Sequence, residues 1–171
     1  MGKRSDFKRL ERDFYKTPFS AVTPLLPHLK SSTFFSEPCA GDGALINHLE
    51  SAGHVCSWAS DIEPQTNDYN IVKKDMFETY SIFTVITNPP WDRKILHPYL
   101  EHLHNQKTPS WLLFDADWMH TKQSESFMLN CSKIISVGRV KWIEGSASVG
   151  KDNCCWYRFE PHKSETIFIG R

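Results

Sequence analysis

The sequence has no apolar run long enough to span a bilayer and no signal-peptide pattern; a membrane helix needs about 20 consecutive apolar residues. Neither sign of charge is in excess, since 20 Lys and Arg face 20 Asp and Glu. That balance excludes broad electrostatic capture of nucleic acid as the main source of affinity, while leaving room for a local basic patch. The five cysteines (Cys39, Cys56, Cys131, Cys154 and Cys155) are odd in number and form no C-x-x-C pair. A disulfide framework is therefore not expected, and free thiols in a reducing compartment are. No metal-ligand spacing is completed around His97, His102 and His104, which are read as surface or packing residues. There is no repeat, low-complexity tract or linker. The expectation is one soluble, cytoplasmic domain over residues 1–171.

What is present is ample material for a core, with 40% hydrophobic and 13% aromatic residues, so disorder is not expected. The segment 1–16 is the most basic stretch, with Lys3, Arg4, Lys8, Arg9, Arg12 and Lys16 against Asp6, Glu11 and Asp13. It reads either as a phosphate-touching arm or as a solvated amphipathic helix. Phe14-Tyr15-Lys16-Thr17-Pro18 must break any helix there, and an irregular helix over 19–29 follows, interrupted by Pro24 and Pro27.

The most informative stretch is Asn88-Pro89-Pro90-Trp91. It follows the apolar run 82–86, which reads as a buried parallel strand. Two prolines donate no backbone hydrogen and cannot continue a strand, and Pro89 keeps Asn88 extended. The result is a stiff corner at a strand's carboxyl end, where open α/β sheets bind ligands. A conjugated exocyclic amine is a poor nucleophile because its lone pair is delocalised. The Asn88 side-chain oxygen and the Pro89 carbonyl are neutral acceptors able to hold both amine hydrogens and aim the lone pair at an electrophilic methyl. Trp91 offers a stacking surface worth roughly 1–3 kcal/mol per base. The alternative is a tight turn with an incidental tryptophan.

A first strand over 33–36 leads into Glu37-Pro38-Cys39-Ala40-Gly41-Asp42-Gly43. Gly41 and Gly43 permit a sharp turn and close approach of a ligand, and the helix predicted over 44–52 aims its amino end at it. There is no third glycine of the dinucleotide pattern, which disfavours a pyrophosphate cofactor. A second strand over 54–60 places Asp61 at its tip, 18 residues beyond Gly43, about the spacing of an acid that accepts ribose hydroxyls; a turn cap is the alternative. A short strand over 71–74 precedes Asp75, positioned to accept from an adenine amine, and Phe77, which packs on the ring or in the core.

Further on, a helix over 92–105, a strand over 111–115, a helix over 122–129 and strands over 133–143, 154–160 and 166–169 are predicted. The loop 144–153 is small and polar, hence mobile. Arg139, Lys141 and Lys151 make a backbone-contact region for nucleic acid. Trp142, Trp156 and Tyr157 flank the loop, each either core or a partner sandwiching a base against Trp91; Trp156 is taken as the substrate-binding one.

In this order, the chain resembles the S-adenosylmethionine-dependent amino-methyltransferases, specifically the adenine-N6 DNA group with cofactor motifs ahead of the catalytic one. The likeness runs from Phe14 to about Tyr157, and the segment 138–142 is similar to small phage-encoded members. The resemblance implies a Rossmann-like α/β fold with a mostly parallel seven-stranded sheet flanked by helices. It implies S-adenosyl-L-methionine as cofactor, held by Tyr15, Thr17, Pro18, Glu37, Pro38, Cys39, Ala40, Gly41, Gly43, Asp61, Ile62, Asp75, Met76, Phe77 and Asn88. Catalysis falls to Asn88, Pro89, Pro90 and Trp91. Two departures stand out: Tyr or Phe is usual where Trp91 stands, and no target-recognition domain follows the last strands. DNA is the expected partner, with specificity short or supplied by a second copy or another subunit. RNA adenine or a protein glutamine amide are the alternatives for the same chemistry. A non-catalytic cofactor-binding subunit is the alternative from another class.

Overall fold

A computed structural model describes residues 15–143 and 150–171. The basic stretch up to residue 14, with Phe14, and most of the 144–153 loop lie outside the described residues. The elements in chain order are α1 (Phe19–Val22), β1 (Phe34–Glu37), α2 (Ala44–Ser51), β2 (Val55–Asp61), β3 (Val72–Lys73) and β4 (Thr84–Thr87). There follow α3 (Arg93–Asn105), β5 (Ser110–Asp115), α4 (Glu125–Met128), β6 (Cys131–Arg139), β7 (Asn153–Phe159) and β8 (Ile167–Ile169).

The strands form one sheet in the order β3-β2-β1-β4-β5-β7-β6-β8. The first five in that order are parallel. β7 inserts antiparallel between β5 and β6, with Leu113 opposite Trp156 and Ile135 opposite Trp156 on the other side. The sheet thus has eight strands, not the seven expected. β8, predicted as a strand over 166–169, joins the sheet parallel to β6 through Lys133↔Ile167 and its two successors, so seven is the count that only the resemblance implied. The chain runs outward from β1 through β2 to β3, then returns to place β4 on the other side of β1. Strand order reverses between β1 and β4, and the crevice outside their carboxyl ends is where such sheets take ligands.

Alternation along the central strands fills both faces. Trp111 and Leu113 of β5 and Trp156 of β7 join Val22, Ile46 and Leu49 on one face. Leu112, Phe114 and Tyr157 join Leu96, Tyr99 and Leu103 of α3 on the other. Phe114 and Tyr157 stack at 4.1 Å and 10° across the β5–β7 ladder. The helix expected over 19–29 is split into α1 and a 3-10 turn over Leu26–His28, because Pro24 and Pro27 remove donors and clash with the preceding turn. The second half of 122–129 is helical as α4, and its first turn is 3-10. Among the described residues no helix is long and apolar enough to cross a membrane, and no group of side chains is arranged to hold a metal ion.

Candidate active site

The turn after β1 is built by two glycines at positive φ, Gly41 at 53° and Gly43 at 78°. The Gly43 N–H closes it on the Ala40 carbonyl at 2.7 Å. Asp61, at the end of β2, accepts from the Gly41 N–H through Oδ2 at 2.8 Å and from the Glu63 N–H through Oδ1 at 2.8 Å. The acid expected to face a ribose fastens the glycine turn to the neighbouring strand, the contact that the turn-cap alternative implies. Asp42 accepts from the Ala44 N–H at the start of α2 at 3.0 Å.

Glu37 is 1% exposed, and its Oε2 has no hydrogen-bond partner among the described residues. Burial raises its carboxyl well above the ordinary range, and the nearby charges of Asp61 and Asp42 raise it further. A buried carboxyl oxygen without a hydrogen-bond partner is costly unless a ligand completes it.

One residue on this turn has no counterpart in the sequence reading. Tyr69 takes a left-handed conformation at φ 61°, followed by Asn70 at φ 49°. Its ring lies so close over Gly43 that a Cβ there would stand 2.7 Å from Tyr69 Cε2. The Gln65 N–H reaches the Gly41 carbonyl at 2.9 Å, so the whole 62–70 loop is docked on the turn. Nothing in the local letters signals this, because the docking depends on where β2 ends relative to β1.

Asp75 accepts from the Phe77 N–H at 3.0 Å and caps the short turn Met76–Glu78. Met76 is buried and receives the Cys39 S–H at 3.4 Å, which joins this turn to the glycine turn. Phe77 lies edge-on to Tyr99 at 5.8 Å and to His102 at 5.6 Å, against α3. Ile62 is exposed.

The corner after β4 sits next to the glycine turn because β1 and β4 are paired neighbours, with Ser36 opposite Val85. The Asn88 Nδ2 donates to Thr17 Oγ1 at 3.2 Å. The Trp91 indole N–H donates to Asn88 Oδ1 at 3.2 Å and to the Leu113 carbonyl at 3.1 Å. The Thr-Pro step and the corner itself therefore meet at the Asn88 carboxamide, and Trp91 ties the corner to β5. Asp92 ends the corner by capping α3 through the Lys94 N–H at 2.9 Å. Trp142, two residues past Val140, packs edge-on against Trp91 at 5.6 Å and 88° and against Tyr15 at 6.4 Å.

Trp156 does not belong here. It is 0% exposed, and its indole N–H donates to the Ala21 carbonyl at 2.7 Å. The assignment of Trp156 to substrate is corrected: a central position in β7 places it in the core under α1. Tyr157 is likewise buried, in the opposite face. The ring beside Trp91 is Trp142, and its perpendicular packing is not a parallel sandwich. Arg139, Lys141 and Lys151 are all exposed. Arg139 pairs with Asn153 at the end of the β6–β7 hairpin, the end level with the carboxyl end of β5, since Asp115 pairs with Cys154. Arg171 lies against Gly138 and adds a further cation there.

The sheet order and the placement of both loops at its switch point define a Rossmann-like methyltransferase fold. A protein from Pyrococcus horikoshii assigned as an RNA methyltransferase matches with a TM-score of 0.68 at 16% identity, covering 95% of each chain. The methyltransferase subunit of a type I restriction-modification system from Streptococcus thermophilus matches with a TM-score of 0.56 at 10% identity, covering 91% of this chain and 47% of that one. The 23S rRNA methyltransferase ErmE matches with a TM-score of 0.57 at 11% identity, covering 82% of this chain and 66% of that one. These likenesses establish the shared fold. No protein-family model and no curated protein matches the sequence.

Proposed function

We propose that this chain is an S-adenosylmethionine-dependent methyltransferase acting on the exocyclic N6 amine of adenine in DNA. The observation that carries it is the Asn88-Pro89-Pro90-Trp91 corner leaving β4 beside the glycine turn leaving β1, at the sheet's switch point. The residues fit the cofactor. The buried Glu37 Oε2, which has no hydrogen-bond partner among the described residues, suits a ligand carrying a cationic ammonium, and Gly41 and Gly43 give the turn beside it a left-handed backbone, with the Tyr69 ring covering Gly43. Tyr15, Thr17, Pro18 and the turn 37–43 would hold its amino-acid end, Asp61 and Ile62 its ribose, and Asp75, Met76 and Phe77 its base.

When bound, the cofactor supplies a methyl group on a sulfonium, activated for displacement. The chain's own residues do the rest. Asn88 Oδ1 and the Pro89 carbonyl accept the two amine hydrogens, so the nitrogen lone pair turns out of the ring plane towards the methyl. Trp91 holds the ring of a base taken out of its stack, or met unpaired. No strong base is required, because the methylated amine is acidic and loses its proton to water. Positioning then accounts for most of the acceleration. Arg139, Lys141 and Lys151 contact phosphates, and sequence selectivity comes from a second copy or a specificity-providing partner.

Adenine in RNA is the second reading. It is favoured by the likeness, over nearly the whole of both chains, to the Pyrococcus horikoshii protein. Incubation with methyl-labelled cofactor and DNA, RNA or protein, followed by nucleoside mass spectrometry, separates the readings. N6-methyladenine in DNA alone supports the proposal, N6-methyladenine in RNA alone replaces it, and label in neither overturns both.

A further inference from the structure

We infer that Thr17 and Trp91 act together as positioning residues that fix which end of the Asn88 carboxamide meets the target amine. The inference rests on the methyl-transfer reading above. A carboxamide has an accepting and a donating end of nearly the same shape, and only the accepting end serves a substrate that presents two N–H donors. An indole nitrogen donates and never accepts. The 3.2 Å contact from Trp91 Nε1 therefore selects Oδ1 as its partner and excludes the flipped amide, in which two donors would face each other. At the other end the Thr17 hydroxyl, on a residue only 6% exposed, accepts from Nδ2 at 3.2 Å. One of the two Nδ2 hydrogens is thereby engaged on the Thr17 side.

Trp91 is itself fixed, because the same N–H is shared with the Leu113 carbonyl at 3.1 Å. That ties the corner to β5. The carboxamide oxygen keeps a second lone pair for the incoming amine. This arrangement gives the indole at position 91 a task that a phenyl ring cannot perform. It also gives Thr17 a task distinct from contacting a cofactor.

The test uses the full chain and the variants Thr17→Val, Thr17→Ser and Trp91→Phe. Each is checked for folding by circular dichroism and for cofactor affinity by calorimetry. Losing one such contact is expected to lower kcat by about tenfold or more in Thr17→Val and Trp91→Phe. In Trp91→Phe cofactor Kd should change by less than about twofold, while Thr17→Val, at a residue assigned to the cofactor's amino-acid end, should lose clearly more in kcat than in affinity. Thr17→Ser, which restores the acceptor, should recover kcat. The combined Thr17→Val/Trp91→Phe variant should lose less than the product of the single losses, because both act through one amide. An independent readout is the Asn88 side-chain NH2 pair in a 15N–1H spectrum, assigned by its disappearance in Asn88→Ala. It should shift in Thr17→Val and return in Thr17→Ser.

An unmoved NH2 pair, an unchanged kcat, or a cofactor Kd that weakens in step with kcat overturns the inference. If wild-type chain methylates no substrate, the functional proposal fails, while the NH2 signal still decides whether the clamp exists. Should Thr17→Val not fold, Trp91→Phe and Thr17→Ser decide on the same readouts.

Discussion

The ring of Tyr69 rests directly on Gly43, at the point where the chain turns with φ 78°. Two left-handed non-glycine residues in succession, Tyr69 and Asn70, hold it there. Such conformations persist only where the surroundings over-determine them. Here the surroundings are the Gln65–Gly41 and Glu63–Asp61 hydrogen bonds. Replacing Gly43 by Ala combines a left-handed cost of about 1–2 kcal/mol with a collision against the ring. The melting temperature should fall by roughly 2–4 °C for each kcal/mol lost. Adding Tyr69→Ala should return only the collision part, which a double-mutant comparison of melting temperatures measures directly.

Asn88→Ala removes the amine acceptor without touching Glu37, Gly41 or Asp61. Cofactor affinity by calorimetry should stay within about threefold, while the rate of methyl transfer should drop by at least about a hundredfold, in line with the loss of one preorganised transition-state contact. Normal turnover in this variant would remove Asn88 from the mechanism.

Glu37 keeps its proton in the folded chain at pH values where the unfolded chain has released it, burial being the main cause. Between the ordinary glutamate value and the raised one, the folded state binds more protons. Stability therefore falls as pH rises through that window. Glu37→Gln should flatten the decline, read as melting temperature against pH from the ordinary value upward. If a cationic ligand completes the site, its binding must expel the proton. Calorimetric titrations in two buffers of different ionisation enthalpy should then show proton release for wild type and none for Glu37→Gln.

Trp156 is a structural residue. Trp156→Phe strands the Ala21 carbonyl and thins the core, and is expected to cost about 1–3 kcal/mol in urea denaturation. The folded fraction should turn over at the wild-type rate, in contrast to Trp91→Phe.

Much of this was legible in the letters, for physical reasons. The apolar letters before the two prolines leave little choice but a strand and a stiff corner, although the strand is Thr84–Thr87 rather than 82–86 and Ile82 lies outside it, 93% exposed. Two glycines between a strand and a helix likewise permit one kind of turn. Asp61 could be placed from spacing alone, though not its bond to the Gly41 N–H. What local sequence does not carry is the neighbour relation between strands. That β7 lies between β5 and β6 is invisible from residues 153–159, and with it the fate of Trp156. An aromatic next to a polar loop looks the same whether it faces ligand or core. The perpendicular packing of Trp142 on Trp91 and the docking of Tyr69 on Gly43 escaped for the same reason, since both join segments distant in sequence. The split of the first helix shows the limit of periodicity where Pro24 and Pro27 supply the interruption.

The late insertion of β7 beside β5 has a bearing on biogenesis. Until residues 153–159 leave the ribosome, β5 has a bare flank of unpaired amides and carbonyls, and Leu113 of β5 is the anchor for Trp91. Nascent chains stopped short of that point carry every letter of the Asn88–Trp91 corner on a sticky, half-built platform. Competence for chemistry and protection from clumping should therefore arrive together, once β7 has emerged.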